Sequence, residues 1–194
     1  MPKKLSSAIF KTGRPFNIFS TYMENPQGIS FKDQKPDEKI LIFMRRHPIT
    51  NVPWIVLTIL FLFFPFLVNY SFRIVNINYS LFPVRFIIFI LIFYYLIVLG
   101  FAFANFVSWF YNIGIITQKR IIDINFSNLS QITAAATVIT EVEEVKFYQP
   151  GIFASVFDYG SVHARTLAGK DDLVYTNVPH PARISDYLSK IIGE

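Results

Sequence analysis

Histidine is the residue type in this chain best suited to bind a metal or move a proton near neutral pH, and there are three: His47, His163 and His180. They fall in separate segments, and no HExxH pair or similar ligand spacing joins them. His163 alternates with small apolar residues, which is typical of the solvent face of a strand. The sequence has no cysteine, which excludes disulfides, thiolate metal sites and cysteine nucleophiles. We therefore expect no metal site.

Carboxylates are the next candidates for chemistry, as general acids or bases. The densest acidic group is Glu141, Glu143 and Glu144, and the next is Asp171 with Asp172. Strand alternation places Glu141 and Glu143 on one solvent-facing side, which is an ordinary position for charge. The sequence contains no GxxxxGK[ST] or GxGxxG phosphate loop and no GxSxG nucleophile elbow. These patterns predict a protein that is not an enzyme, with no catalytic residues and no cofactor.

Four basic residues are candidates for contacts with anionic lipid headgroups: Arg45, Arg46, Lys119 and Arg120. Each such residue close to the membrane surface is worth about 1 kcal/mol. Two observations argue against the Lys119-Arg120 pair, which lies at a predicted hairpin turn. A strand of about eight residues starting near Trp109 would carry that turn roughly 25 Å from the bilayer. Residues 107–194 also carry seven basic against nine acidic residues, a net charge of −2, which disfavours both lipid and nucleic acid.

The elements that position these residues begin with two stretches free of Asp, Glu, Lys and Arg, from His47 to Phe72 and from Phe86 to Gln118. A hydrocarbon core about 30 Å thick needs roughly 20 apolar residues in a helix. We predict transmembrane helices at about 53–70 and 86–106. The alternative is a hairpin of core helices in a soluble protein. That would require helices apolar on every face, in a chain with little other protein to cover them.

The flanks of these helices predict the topology. Nine basic residues precede the first helix against four acidic ones, whereas the loop between the helices carries only Arg73 and Arg85. This bias predicts that both termini are cytoplasmic. Residues 1–37 show no sustained helical or strand periodicity, so we predict a mostly disordered tail there. Residues 38–52 change from apolar to basic and predict an interfacial segment among the lipid headgroups.

After the second helix the pattern changes to short runs of β-branched and aromatic residues separated by turns, which predicts strands. The candidate strands are Trp109 to Thr117, Arg120 to Phe126, Ile132 to Ile139, Val142 to Tyr148, Ser161 to Leu167 and Leu173 to Val178. A last helix starts at Pro181, and its apolar residues recur at helical spacing. The predicted fold class is an α+β membrane protein, in which a two-helix transmembrane hairpin precedes a small β-barrel or sandwich at 107–194, capped by a C-terminal α-helix.

Several motifs add a family resemblance. They are the run from Tyr111 to Asp123 with its T-x-x-R-I pattern, Val145 to Gly151, Phe157 to Val162, Val178 to Pro181, and Arg46-His47-Pro48 before the first helix. In this order, over roughly residues 38–194, the chain resembles bacterial PH-like membrane proteins of the YdbS type. The resemblance implies a pleckstrin-homology-like domain on a multi-pass protein of the bacterial inner membrane. It implies no enzymatic activity.

Three functions remain open on this sequence. The first is a membrane-anchored scaffold that binds a protein partner through β-strand recognition, with residues 128–140 as the open edge. The second is an anionic-lipid-sensing domain that uses the four basic residues. The third is a non-catalytic subunit of a membrane enzyme complex.

Overall fold

The structure of the protein is a computed structural model that describes residues 19–26, 30–31, 34–35, 37–75, 83–128, 131–166 and 173–192. The chain forms two compact units. The first unit, called here the β domain, combines residues 1–50 with residues 109–194. The second unit, residues 51–108, contains the two long apolar helices.

The first sheet of the β domain has five antiparallel strands in sequence order. They are β1 Tyr22–Glu24, β2 Ile40–Arg45, β3 Ile113–Thr117, β4 Arg120–Asn128 and β5 Gln131–Val138. Strands β2 and β3 are neighbours although the whole helical unit separates them in sequence, and Arg45 pairs with Ile113. The helical unit is therefore an insertion between two adjacent strands.

The second sheet has three antiparallel strands, β6 Val142–Tyr148, β7 Tyr159–Thr166 and β8 Leu173–Pro179. A short helix, α3 Gly151–Val156, lies between β6 and β7, and the chain closes with α4 Pro181–Ile192. Ile184 and Leu188 of α4 are fully buried in a core that both sheets share, together with Ile42 and Val162. The predicted C-terminal helix and its start at Pro181 are thereby confirmed.

Strand β2 corrects the predicted domain boundaries. Ile42 and Met44 face the shared core, and Ile40 and Phe43 belong to a second buried cluster with Ile115. A strand buried on both faces has a continuous apolar run, the pattern that had predicted an interfacial segment at 38–52. Residues 40–45 are instead an inner strand, so the domain predicted at 107–194 lacked two of its strands: β2, and β1, which falls in the tail predicted to be disordered.

The second unit contains α1 Val52–Ile74 and most of α2 Val84–Tyr111, whose last three residues, from Trp109, belong to the β domain. Both are long and apolar enough to cross a membrane, and the most hydrophobic window of each is almost wholly uncovered by other described residues. Within this unit the Tyr94 hydroxyl donates to the Phe61 carbonyl at 2.7 Å. The described residues therefore leave most apolar side chains of both helices uncovered.

The predicted strand at Val142–Tyr148 has the observed bounds, and four other predicted strands both start and end within two residues of the observed ones. The exception is Trp109 to Thr117, because α2 runs on to Tyr111 before β3 starts at Ile113. Helix α3 was not predicted. Most of the predicted tail at 1–37 lies outside the described residues.

Candidate binding surfaces

The turn between β3 and β4 carries two of the predicted lipid contacts, and the structure gives them different surroundings. Arg120 forms a bidentate ion pair with Glu38, with Nε to Oε1 at 2.8 Å and Nη2 to Oε2 at 3.0 Å. Its guanidinium also lies over the ring of Phe31. Lys119 is exposed. Of the two, Arg120 is thus already paired within the β domain.

Glu38 is the buried half of that pair, with a side chain that is 0% exposed. The Thr117 hydroxyl donates a further hydrogen bond to its Oε1 at 2.7 Å. Burial by itself would raise the pKa of Glu38, but the hydrogen bonds from Arg120, Thr117 and the Lys35 amide outweigh it and lower that pKa. The Glu38 carboxylate therefore stays ionised, and its contacts hold the segment just before β2 against the β3–β4 turn.

Arg45, the third predicted lipid contact, points into the β domain. It is 3% exposed, and its guanidinium lies 4.4 Å from the ring centre of Phe110 and 5.7 Å from that of Trp109. Burial lowers the pKa of Arg45 to about 10, so the side chain is still charged at neutral pH. A cation held over aromatic faces is stabilised by the ring quadrupoles. The structure therefore places the charge of Arg45 inside the domain, against aromatic rings, and the headgroup contact at Arg45 stays a prediction.

Arg46, the fourth predicted contact, is half-buried beside Asp123. Burial raises the pKa of Asp123 to about 6, although the charge of Arg46 acts in the opposite direction. Burial likewise lowers the pKa of Arg46, which Asp123 opposes. Both residues line a cavity of about 20 Å³ that reaches Asn125 and the fully buried Tyr175.

This cavity has a polar lining but little room. Among the described residues, Asn125 Oδ1 and the Tyr175 hydroxyl are buried without a hydrogen-bond partner. A cavity of this volume holds about one water molecule, whereas a small-molecule site needs roughly 300 Å³ or more. The arrangement can accommodate a bridging water and is too small for a substrate.

Two of the three histidines contact other residues of the β domain. The ring of His47 stacks on Tyr159 at 5.6 Å, and His180 Nδ1 lies 2.5 Å from Asp158 Oδ2. His163 is exposed on β7, as its alternation predicts. In the described part of the chain, no three His, Cys, Asp or Glu side chains come together in a group that could hold a metal ion.

Strand β5 has β4 as its neighbour on one side, and among the described strands none pairs with its other side, so β5 is an edge of the first sheet. Ala136 and Val138 on this strand are exposed. An edge strand presents backbone N–H and C=O groups that can pair with another extended chain. The segment 128–140 proposed from the sequence thus contains an edge strand.

Sequence reasoning missed Glu38, Asp123 and the helix α3. Glu38 belonged to the segment interpreted as interfacial, and its partner Arg120 lies 82 residues away, beyond the reach of any local pattern. Asp123 stands between isoleucines within a strand, so a lone acidic residue among apolar neighbours was the available signal. The apolar run Gly151 to Val156 was too short for a helical period to be recognised.

Comparison with known proteins gives little beyond the geometry. No family model matches the chain, and none of the curated proteins matches it. Part of the chain is similar to the crystal structure of a DUF1696 family protein with a pleckstrin-homology domain from Shewanella loihica PV-4. That likeness has 14% identity, a TM-score of 0.33, and covers 41% of this chain and 69% of the other. It is too weak to carry an argument, so the resemblance to the YdbS type stays a prediction.

Proposed function

We propose that this chain is a bacterial inner-membrane protein, anchored by the hairpin of α1 and α2, whose PH-like β domain is a non-catalytic module that binds a protein partner on the cytoplasmic face. The observation that carries the proposal is the open edge of strand β5 in the β domain. The same domain is continuous in sequence with the two apolar helices, which are inserted between its strands β2 and β3.

The pairing of β2 with β3 supports the anchoring part of the proposal. Arg45 precedes the helices and Ile113 follows them, yet the two residues are register partners in one sheet. Both flanks must therefore lie on the same side of any membrane that the helices cross, as an even number of crossings requires. The excess of basic residues before α1 favours the cytoplasmic side.

The strand plan supports the PH-like assignment. Strands β2 to β5 form four strands of one sheet, β6 to β8 form the other sheet, and a single C-terminal helix packs on the shared core. This is the plan that the sequence resemblance implies. Strand β1 is an addition to it at the outer side of β2.

Photocross-linking in intact cells tests the partner. A benzophenone amino acid replaces Val138 on the open edge or, as a control, the exposed His163 on β7, the central strand of the other sheet. We expect a discrete cross-linked protein from position 138 and none from position 163. Adding Ala136→Lys should abolish it, because an edge lysine blocks strand addition. Equal products from both positions, or none from position 138, would contradict the proposal.

One observation keeps the anionic-lipid alternative as a second candidate: Lys119 is exposed, and its charge is free of the Glu38 pair that holds Arg120. Charge reversal at Lys119 should then reduce co-purification of anionic lipid with the full chain. Unchanged lipid retention would eliminate this alternative. Co-purification with a chain that carries an active site would instead favour an enzyme subunit.

A further inference from the structure

Helix α3 exposes apolar side chains to an unusual degree for a structured segment. Ile152 is 80% exposed, Phe153 74% and Val156 69%, while the small residue Ala154 faces inward and is buried. A surface helix normally shows the reverse pattern, with its large apolar residues toward the core. Contiguous exposed apolar groups of this kind mark a site of interaction with a protein or a membrane.

The segment around α3 also lacks charge. The eleven residues from Phe147 to Phe157 contain no Asp, Glu, Lys or Arg, and Lys146 and Asp158 bound them on either side. Tyr148 and Phe157, at the two bases of this hairpin, are exposed as well. Apolar tips with aromatic residues at their base suit the boundary between lipid headgroups and acyl chains. We call residues 147–157 the apolar tip.

The apolar tip lies at the end of the β domain where the chain leaves for α1. The His47 amide donates to the Asn177 carbonyl at 2.7 Å, and the His47 ring stacks on Tyr159, just after the tip. The helical insertion starts at Asn51, four residues after His47. The return strand starts at this end too, because Trp109 Nε1 donates to the Arg46 carbonyl at 2.9 Å.

The opposite end of the domain has a different character. It contains the β3–β4 turn with Lys119, whose carbonyl accepts a hydrogen bond from the Ile139 amide, and the neighbouring exposed Thr140. The two ends therefore differ in both polarity and covalent connection. The end that carries the apolar tip is the one tied to the candidate transmembrane helices.

We propose that the apolar tip inserts into the interfacial layer of the bilayer that α1 and α2 cross, so that the β domain is docked on lipid as well as tethered to it. This rests on the anchoring part of the proposed function. We propose lipid as the binding partner of the apolar tip because both junctions with the apolar helices lie at the same end of the β domain as the tip. A bilayer crossed by those helices would therefore start close to the tip. A protein partner would have to compete with that surface.

Fluorescence quenching in vesicles tests the proposal on the full chain, which has no native cysteine. The variants Ile152→Cys, Thr140→Cys and Leu96→Cys each carry an environment-sensitive nitrobenzoxadiazole label. They are reconstituted in phosphatidylethanolamine and phosphatidylglycerol vesicles whose acyl chains are unbrominated, brominated near the headgroup to report on positions 140 and 152, or brominated near the terminal methyl to report on position 96. Thr140 is the exposed control at the far end, and Leu96 is the control for membrane spanning on α2.

We expect brominated lipid to quench the label at position 152 several-fold more than the label at position 140. Adding Phe153→Glu should remove most of the quenching at 152, because a charge opposes insertion. The emission spectrum at 140 should stay unchanged, which shows that the domain remains folded.

Two results would overturn this inference and leave the anchoring intact. The first is quenching at position 152 no greater than at position 140, while the label at position 96 is quenched. The second is an emission blue shift at position 152 without quenching, which would mean that protein covers the tip. Absence of quenching at 96 would instead refute the anchoring itself, and the inference with it.

Discussion

At the scale of single residues, Glu38 shows how a buried charge stabilises this domain. Its carboxylate is inaccessible and bound by Arg120 and Thr117, so Glu38→Gln would leave a largely buried guanidinium without its counter-charge. Breaking such a pair costs about 3 kcal/mol. We expect the free energy of unfolding of the full chain in detergent to fall by that amount, as measured by chemical denaturation.

The matched control is Glu144→Gln, which breaks the exposed ion pair with Lys146. An exposed pair contributes about 0.5 kcal/mol, so this variant should unfold almost like the wild type. Equal losses for the two variants would show that the Glu38 pair is not protected from solvent.

The raised pKa of Asp123 predicts that the free energy of unfolding falls with rising pH, whereas an ordinary ion-paired carboxylate makes it rise. Burial raises its pKa from 3.8 to about 6, so the folded state binds the proton more tightly than the unfolded state does. Its contribution to stability is therefore present at low pH and is lost as pH rises from 3.8 to about 6. The difference in stability between wild type and Asp123→Asn should change across that window, measured by denaturation at a series of pH values. A difference independent of pH would contradict the raised pKa of Asp123.

At the scale of elements, Gly114 on β3 makes a close approach that a side chain would obstruct. A Cβ there would lie 2.6 Å from Cε1 of the buried Tyr175 and 2.9 Å from Cγ of Met44. Gly114→Ala should destabilise the β domain by about 2 kcal/mol through overpacking. Thermal unfolding of the full chain in detergent measures the loss.

Gly100 provides the comparison, since a Cβ there meets nothing within 4 Å and alanine favours a helix. Gly100→Ala should therefore leave the unfolding temperature unchanged or slightly higher. A loss at Gly100 equal to that at Gly114 would indicate that α2 packs against something at that position.

The elements also show what the sequence could and could not predict. A run of β-branched and aromatic residues between turns located β6 at its observed bounds, and helical spacing located α4, because both signals are local. The identity of β2 depended on its pairing with β3 across the helical insertion, and no local pattern reports a partner that far away. The contacts of Arg45 with Phe110 and of Arg120 with Glu38 were out of reach for the same reason, since each joins distant segments.

At the scale of the whole molecule, the insertion between β2 and β3 defines what can fold alone. A fragment of residues 107–194 lacks Ile42, Phe43 and Met44, all buried in the domain. It should give the poorly dispersed amide NMR spectrum of an unfolded chain. A variant in which a short Gly/Ser linker replaces residues 51–108 keeps β2 beside β3 and should give a dispersed spectrum in mild detergent. A folded 107–194 fragment would contradict the role assigned to β2.

We propose that a hairpin of two apolar helices holds a β domain, built from both of its flanks, on the cytoplasmic face of the membrane. Cysteine labelling with a membrane-impermeant maleimide in intact cells tests it most directly. Asn76→Cys, between the helices, should be labelled, whereas Glu24→Cys and Thr140→Cys, before and after them, should be labelled only after the membrane is permeabilised. The reverse pattern would contradict the orientation, and opposite results for Glu24 and Thr140 would contradict the hairpin.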